Sequence, residues 1–221
     1  MRKKMKLLAI LSEVIMLSVL YSCSNNKENS GKDDEIYKIG INQIVQHSAL
    51  DSAREGFIDG LKEKGYVDGE NIEIDYENAQ GDVSIAQTIS KQFVNNEVDM
   101  IFAISTSSAQ SAYNATKEIP IVFTAVTDPV AAGIANSFES SGNNVTGMSD
   151  MVSMTEQIAL LQEIVPSIRN IGVIYNTSEA NSIVQVDELK STAKESNLEV
   201  KEISITTVNE INQNLSANIK D

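Results

Sequence analysis

The stretch FAISTSSAQSAYNAT, residues 102–116, sets four hydroxyl residues in a row, Ser105, Thr106, Ser107 and Ser108, where an apolar run gives way to a helical pattern. One hydroxyl at such a junction caps a helix by accepting from a free backbone N–H, and Ser107 or Ser108 could do so. Capping accounts for one of the four, or two. The remaining hydroxyls suit a different role. Beside the open N–H groups and positive dipole end of a helix, they can complete a site for a carboxylate. Thr106 and Ser107 are the candidates for ligand contact. In TAVTDPV, Asp128 can cap a helix whose first turn begins at Pro129, or its carboxylate can pair with an ammonium. Glu179 and Asn181, in YNTSEANS, are polar loop residues with no further distinction of their own. His47 is the only histidine. One His makes neither a metal site nor a Ser-His-Asp triad, so it suits a cap or a cleft wall.

These residues sit between alternating strand and helix patterns. YKIGINQI reads as a buried strand, followed by a helix with Leu50, Ala53, Phe57 and Leu61 on one stripe and Gly65 placed to end it. NIEIDYENA, VDMIFAIS and IPIVFTAV read as further strands. A helix with Ile85, Ile89 and Phe93 and a second over SSAQSAYNATKE lie between them. DPVAAGIANSF reads as a short helix and NNVTGMS as the last strand of the lobe or its exit. The pattern then restarts: helix TEQIALLQEIVPS, strand NIGVIYN, helix NSIVQVDELKSTAKESN, strand EVKEISIT, and a helix carrying Ile211, Leu215 and Ile219. Strands alternating with helices imply parallel pairing with helices on both faces, so two α/β Rossmann-like lobes are predicted. Residues 37–148 form the first, which reads as complete, and 149–221 a partial second. Ligands in such sheets gather at the carboxyl ends of the strands, where all the polar loops above fall.

The chain of 221 residues opens with a basic head, an apolar run and Ser22-Cys23, the layout of an exported protein's signal segment over residues 1–22. Cys23 is the sole cysteine, so it forms no internal disulfide. The polar stretch that follows, to residue 36, reads as a flexible tether. Beyond residue 22 there are 13 basic and 30 acidic residues, a net charge of −17. Such a chain repels phosphate backbones, which argues against nucleic-acid binding. No dinucleotide or phosphate-binding glycine motif, nucleophile elbow or metal-spaced Cys/His pattern is present, so neither catalysis nor a cofactor is expected.

LYSC, Leu20 to Cys23, resembles the lipobox of bacterial lipoproteins, in which the cysteine is lipidated, with palmitate among the acyl groups this implies. Tyr21 and Glu13 depart from that pattern. INQIVQHSALDSAREGFIDGLKEKGY, ISTSSAQSA, IPIVFTAVTDPVAAGI, NNVTGMSD and IGVIYNTSEANS together resemble the ABC transporter substrate-binding lipoproteins related to the tryptophan- and tyrosine-binding group. The resemblance implies the type I periplasmic-binding fold: two lobes that close on a small molecule, an amino acid by this likeness, and pass it to a membrane permease. It implies Thr106, Ser107 and Ser108 as a carboxylate loop, with Thr127 and Asp128 in the cleft. Gln46 and His47 would form the first cleft loop, and Asn176, Glu179, Asn181 and Ser182 the second lobe's share. Members run well beyond the span of this chain, so a loosely held second lobe and weak ligand binding are expected. A ligand-sensing module on the same fold, or a truncated product without function, are the alternatives.

Overall fold

The computed structural model describes residues 36–218. Cys23, the signal segment and nearly all of the tether lie outside the described residues.

The first lobe is a five-stranded parallel sheet in the order β2-β1-β3-β4-β5, made of β1 (Tyr37–Gln43), β2 (Ile72–Asn78), β3 (Met100–Ile104), β4 (Ile121–Val126) and β5 (Val145–Ser149). Between them run α1 (Ser48–Glu63), α2 (Val83–Asn95) and α3 (Thr106–Ala115). Side chains alternate across each strand, and both faces are apolar because helices cover both. Ile101, Ala103, Ile121 and Phe123 meet Ile89 and Phe93 of α2 and Ala109 and Ala112 of α3. On the opposite face Ile39, Ile41, Phe102 and Ile104 meet α1. There the Phe57 and Phe102 rings stack at 3.9 Å. Gly40 has no side chain because Phe93 fills that place: an added Cβ would lie 2.6 Å from its ring.

The stripe expected on α1 exists, with Leu50, Phe57 and Leu61 packed on the sheet, yet no α1 residue is buried. This helix is the sole cover of its face among the described residues. It does not reach β5, where Met148 is 74% exposed. The first lobe is therefore barer than its sequence pattern implies. A second difference concerns DPVAAGIANSF. It forms a single turn over 129–133, closed by Gly133 at φ +72°, rather than a helix.

Residues 150–153 lead into the second lobe, with α4 (Met154–Ile164), β6 (Asn170–Asn176), α5 (Ala180–Glu195), β7 (Glu199–Ile205), a 3-10 turn (Val208–Glu210) and α6 (Ile211–Asn218). β6 and β7 pair in parallel over their full length. The buried core of this lobe is small: Met154, Ile158, Ala193 and Leu198 form its cluster, with Val186, Ile203 and Ile205 buried besides.

Candidate functional site

The helices of this fold start at the carboxyl ends of strands, and they differ in how their first N–H groups are met. His47 Nδ1 accepts from Ala49 N at 3.3 Å at the start of α1. Asp82 accepts from Ser84 N and Ile85 N at α2, and Ser153 from Glu156 N at α4. At α3 no side chain caps the helix and no acid stands in its first turn. Capping by Ser107 or Ser108 is thereby ruled out: both lie inside the first turn. Ser108 Oγ instead donates to Asn42 Oδ1 at 3.2 Å. Ser107 is buried, and its carbonyl accepts from Ser111 Oγ.

The hydroxyls of Ser105 and Thr106 are buried and have no partner among the described residues. Buried polar groups are ordinarily satisfied, so a partner from outside the chain is called for. Open N–H groups, the helix dipole and an unused hydroxyl converge at the start of α3, an arrangement suited to an anion. The backbone here is strained as well. Ser105 has φ 99° and ψ 162°, a region that is essentially glycine's. On the neighbouring strand Ala125 has φ 54°, at the register shift between Phe123 and Val126. Strain of this kind persists only where surrounding contacts hold it, and here it lies at two adjacent strand ends.

What holds α3 in place is a buried polar network that was not foreseen from the sequence. Asn42, inaccessible at the end of β1, donates to Ala86 O at 2.8 Å and Ser90 Oγ at 2.9 Å while accepting from Ser108. Gln43 ties the first loop to α1 by donating to Val45 O and Asp51 Oδ1 and accepting from Arg54. A polar pair ending the apolar run YKIGINQI was the available signal.

Thr127 and Asp128 follow β4, beside β3 in the sheet. Asp128 Oδ1 accepts from Val130 N and Ala131 N at 2.8 and 2.9 Å, so it does cap, though a turn rather than a helix. Thr127 is buried, and its hydroxyl accepts from Gln185 Nε2 of α5 at 3.2 Å, a hydrogen bond that joins the two lobes. Gln185, in the middle of a helix, gave no signal in the sequence. Gln46 lines an open groove of about 550 Å³ with Arg54, Tyr76 and Asn78, whose walls include none of the α3 residues. Arg54 stacks on Tyr76 there, 4.3 Å from the ring centre.

In the second lobe Asn176 donates to Glu179 Oε1 at 3.0 Å and accepts from Ser178. Glu179 precedes α5 without capping it, and Asn181 and Ser182 stand half-buried in its first turn. Asn176 and Ser182 also line a groove of about 710 Å³ beside β6. Its walls are mainly apolar and hold none of the first-lobe candidates. The structure thus gathers Thr106, Ser107, Ser108, Thr127 and Asp128 at adjacent strand ends. It groups Asn176, Glu179, Asn181 and Ser182 at another.

Among the described residues no cluster of three or more His, Cys, Asp or Glu could hold a metal, and no helix is long and apolar enough to cross a membrane. One group of shifted ionisations lies beside the second-lobe loop: Tyr175, next to Asn176, is raised by its hydrogen bond to Glu202. Lys190, hydrogen-bonded to Glu202 at 2.8 Å, holds that carboxyl below its ordinary range; Tyr175 adds to this, and Lys190 is raised in turn.

The architecture is the type I periplasmic-binding fold, with two strands in the second sheet among the described residues. The chain belongs to the ABC transporter substrate binding protein family, whose sequence profile matches residues 38–221. It is 49% identical over 225 residues to a tyrosine-binding protein of Clostridioides difficile, covering 98% of this chain and 65% of that protein. A Streptococcus pneumonia ABC domain in complex with L-Trp superposes with a TM-score of 0.79 at 38% identity, over 83% of this chain and 62% of that one. A ligand-free, open substrate binding protein with adhesive properties from Clostridium difficile gives 0.62 at 52% identity, over 82% and 62%. The chain therefore spans just under two thirds of each. The family is one of binding proteins rather than enzymes.

Proposed function

We propose that this chain is the ligand-capturing part of an extracytoplasmic solute-binding lipoprotein that takes up an amino acid, aromatic by the likeness to its relatives, and delivers it to an ABC permease. The buried, unpartnered hydroxyl of Thr106 at the uncapped start of α3 carries this reading. The ligand carboxylate accepts from the N–H groups of the first turn and from Thr106, with Ser107 beside it. The free oxygen of Asp128 pairs with the ammonium. Thr127 positions the loop, and Asn176, Glu179, Asn181 and Ser182 close from the second lobe. Gln46 and His47 border the cleft rather than its floor. The higher TM-score against the tryptophan-bound relative than against the open one, despite lower identity, supports lobes set near a closed arrangement. Cys23 carries the lipid that anchors the protein to the membrane.

Ligand-observed NMR tests the capture step, because saturation transfer reports affinities as weak as about millimolar. Transfer to L-tyrosine and L-tryptophan but not to glucose is expected; transfer to no amino acid contradicts the proposal. For the anchor, fatty-acid labelling is expected on the wild type and absent from Cys23→Ala. No label on the wild type contradicts it.

A further inference from the structure

A single side-chain hydrogen bond crosses between the lobes. Gln185 Nε2 of α5 donates to Thr127 Oγ1 at 3.2 Å. Among the described residues, no other hydrogen bond or ion pair joins residues 154–218 to residues 36–149. α3 and α5 approach each other across the same boundary. Thr127 is buried, so its hydroxyl needs a partner, and Gln185 supplies one. Val186, the next residue, is buried in its own lobe. Gln185 stands about 100° round the helix from it, where it faces the other lobe.

Thr127 is a junction in other ways too. Its carbonyl accepts from Ser149 Oγ at 2.6 Å, and that oxygen accepts in turn from Met151 N at 3.1 Å. Asp150 N donates to Val126 O at 3.2 Å. The segment that leads into the second lobe is thereby pinned to the end of β4. Asp128, read above as the partner of the ligand ammonium, is the next residue along. One residue thus joins the interlobe segment, the second lobe and the binding loop. A cavity of about 150 Å³ lies at this joint, with Thr127, Asp150, Gln157, Gln185 and Glu188 in its walls. Those polar walls keep the contact close to water, so it has the modest net strength of a solvated hydrogen bond.

We infer, resting on the cleft read above as the ligand site, that Gln185 is a positioning residue for capture: its hydrogen bond to Thr127 latches the lobes together through protein groups alone, before a ligand is present. Opening the lobes would separate α5 from the end of β4, and the Thr127 hydroxyl would lose this partner. The latch therefore favours closure by the same amount whatever the ligand. Apparent affinity scales with the fraction of molecules in the binding-competent arrangement. Loss of the contact should weaken every ligand by one common factor, about two- to tenfold. A residue that touched the ligand would instead change the preference between ligands.

Residual dipolar couplings of the ligand-free chain measure the angle between the lobes, independently of amino-acid capture. The wild-type couplings should fit the arrangement in the structure. Those of Gln185→Leu should fit each lobe taken alone but not both lobes together. Thr127→Val should behave like Gln185→Leu and Thr127→Ser like the wild type. The double variant Gln185→Leu with Thr127→Val should be no worse than either single one. In NMR titrations, Gln185→Leu should weaken L-tyrosine and L-tryptophan by the same factor, about two to ten. Four results would overturn the inference: a wild type whose lobes do not fit the arrangement in the structure; a wild-type angle in Gln185→Leu; a Thr127→Ser that opens like Thr127→Val; or unequal weakening of the two amino acids. A wild type that binds neither amino acid counts against capture, and the ligand-free angle then decides the latch by itself.

Discussion

Thr106→Val separates a hydroxyl kept for a ligand from one kept for the fold. Valine preserves the shape of threonine and has a similar helix propensity, so the change removes the oxygen and little else. In the free protein that oxygen is buried without a partner among the described residues. Leaving a buried polar atom unsatisfied costs about 1–3 kcal/mol, and an apolar replacement of the same shape is neutral or stabilising. For a chain of this size each kcal/mol moves Tm by about 2–4 °C. Thr106→Val should therefore melt at the wild-type temperature or a few degrees above it. Binding should move the other way. A hydrogen bond to a charged carboxylate is worth about 1.5–3 kcal/mol, so affinity for the amino acid should fall about tenfold or more. Ser108→Ala is the counterpart. It leaves the buried Asn42 oxygen without its donor and should lower Tm at a cost of about 1–3 kcal/mol. Scanning calorimetry and an NMR titration with L-tryptophan measure both properties on each variant. A Tm drop of several degrees for Thr106→Val with unchanged affinity would refute the reasoning, since the hydroxyl would then be structural.

Other outcomes follow from the same structure. Ser105→Gly relieves a backbone conformation worth about 1–3 kcal/mol and should raise Tm by calorimetry. Gly40→Ala forces a methyl against Phe93 and should lower stability by about 1–3 kcal/mol in urea unfolding. Hydrogen exchange should be slowest in β1, β3 and β4 and faster throughout residues 170–218, where buried apolar residues are few and form only a small cluster rather than a continuous layer. The Lys190–Glu202 contact gives a pH dependence at both ends. Glu202 titrates below its ordinary value, so its contribution is present above the usual carboxylate range and lost as pH falls through the lowered value. Lys190 is raised, so its contribution is present below the usual lysine range and lost as pH rises through the raised value. Both groups are solvent-accessible, so exchange in α5 should respond weakly and less in high salt.

The order of elements was legible because parallel strands buried on both faces leave long apolar runs, and the glycine and polar punctuation between them is plain. The loops at the strand ends were legible as polar, but their division of labour was not. Ser107 and Ser108 look like caps by residue type; only the start of α3 at Thr106 shows that they are not. Asp128-Pro129 carries a helix-start signal, yet Gly133 in the left-handed region ends the segment after one turn. Asn42 and Gln43 lie within the run read as a buried strand, and both are inaccessible, but what satisfies their polar groups was not legible. Their partners lie on different elements: Asn42 on Ala86, Ser90 and Ser108, Gln43 on Asp51 and Arg54. No local pattern encodes that. The bare side of β5 was invisible for a similar reason, because the cover of a face depends on elements far away in sequence.

The start of α3, by this reading, holds the carboxylate of an amino acid. The most direct measurement follows the backbone amide resonances of Thr106, Ser107 and Ser108 in the labelled chain during titration with L-tyrosine and, separately, with tyramine, which lacks the carboxylate. These three amides should shift with L-tyrosine and stay in place with tyramine. Equal shifts with both compounds, or tyrosine-induced shifts confined to the groove beside β6, would contradict a carboxylate site at this helix.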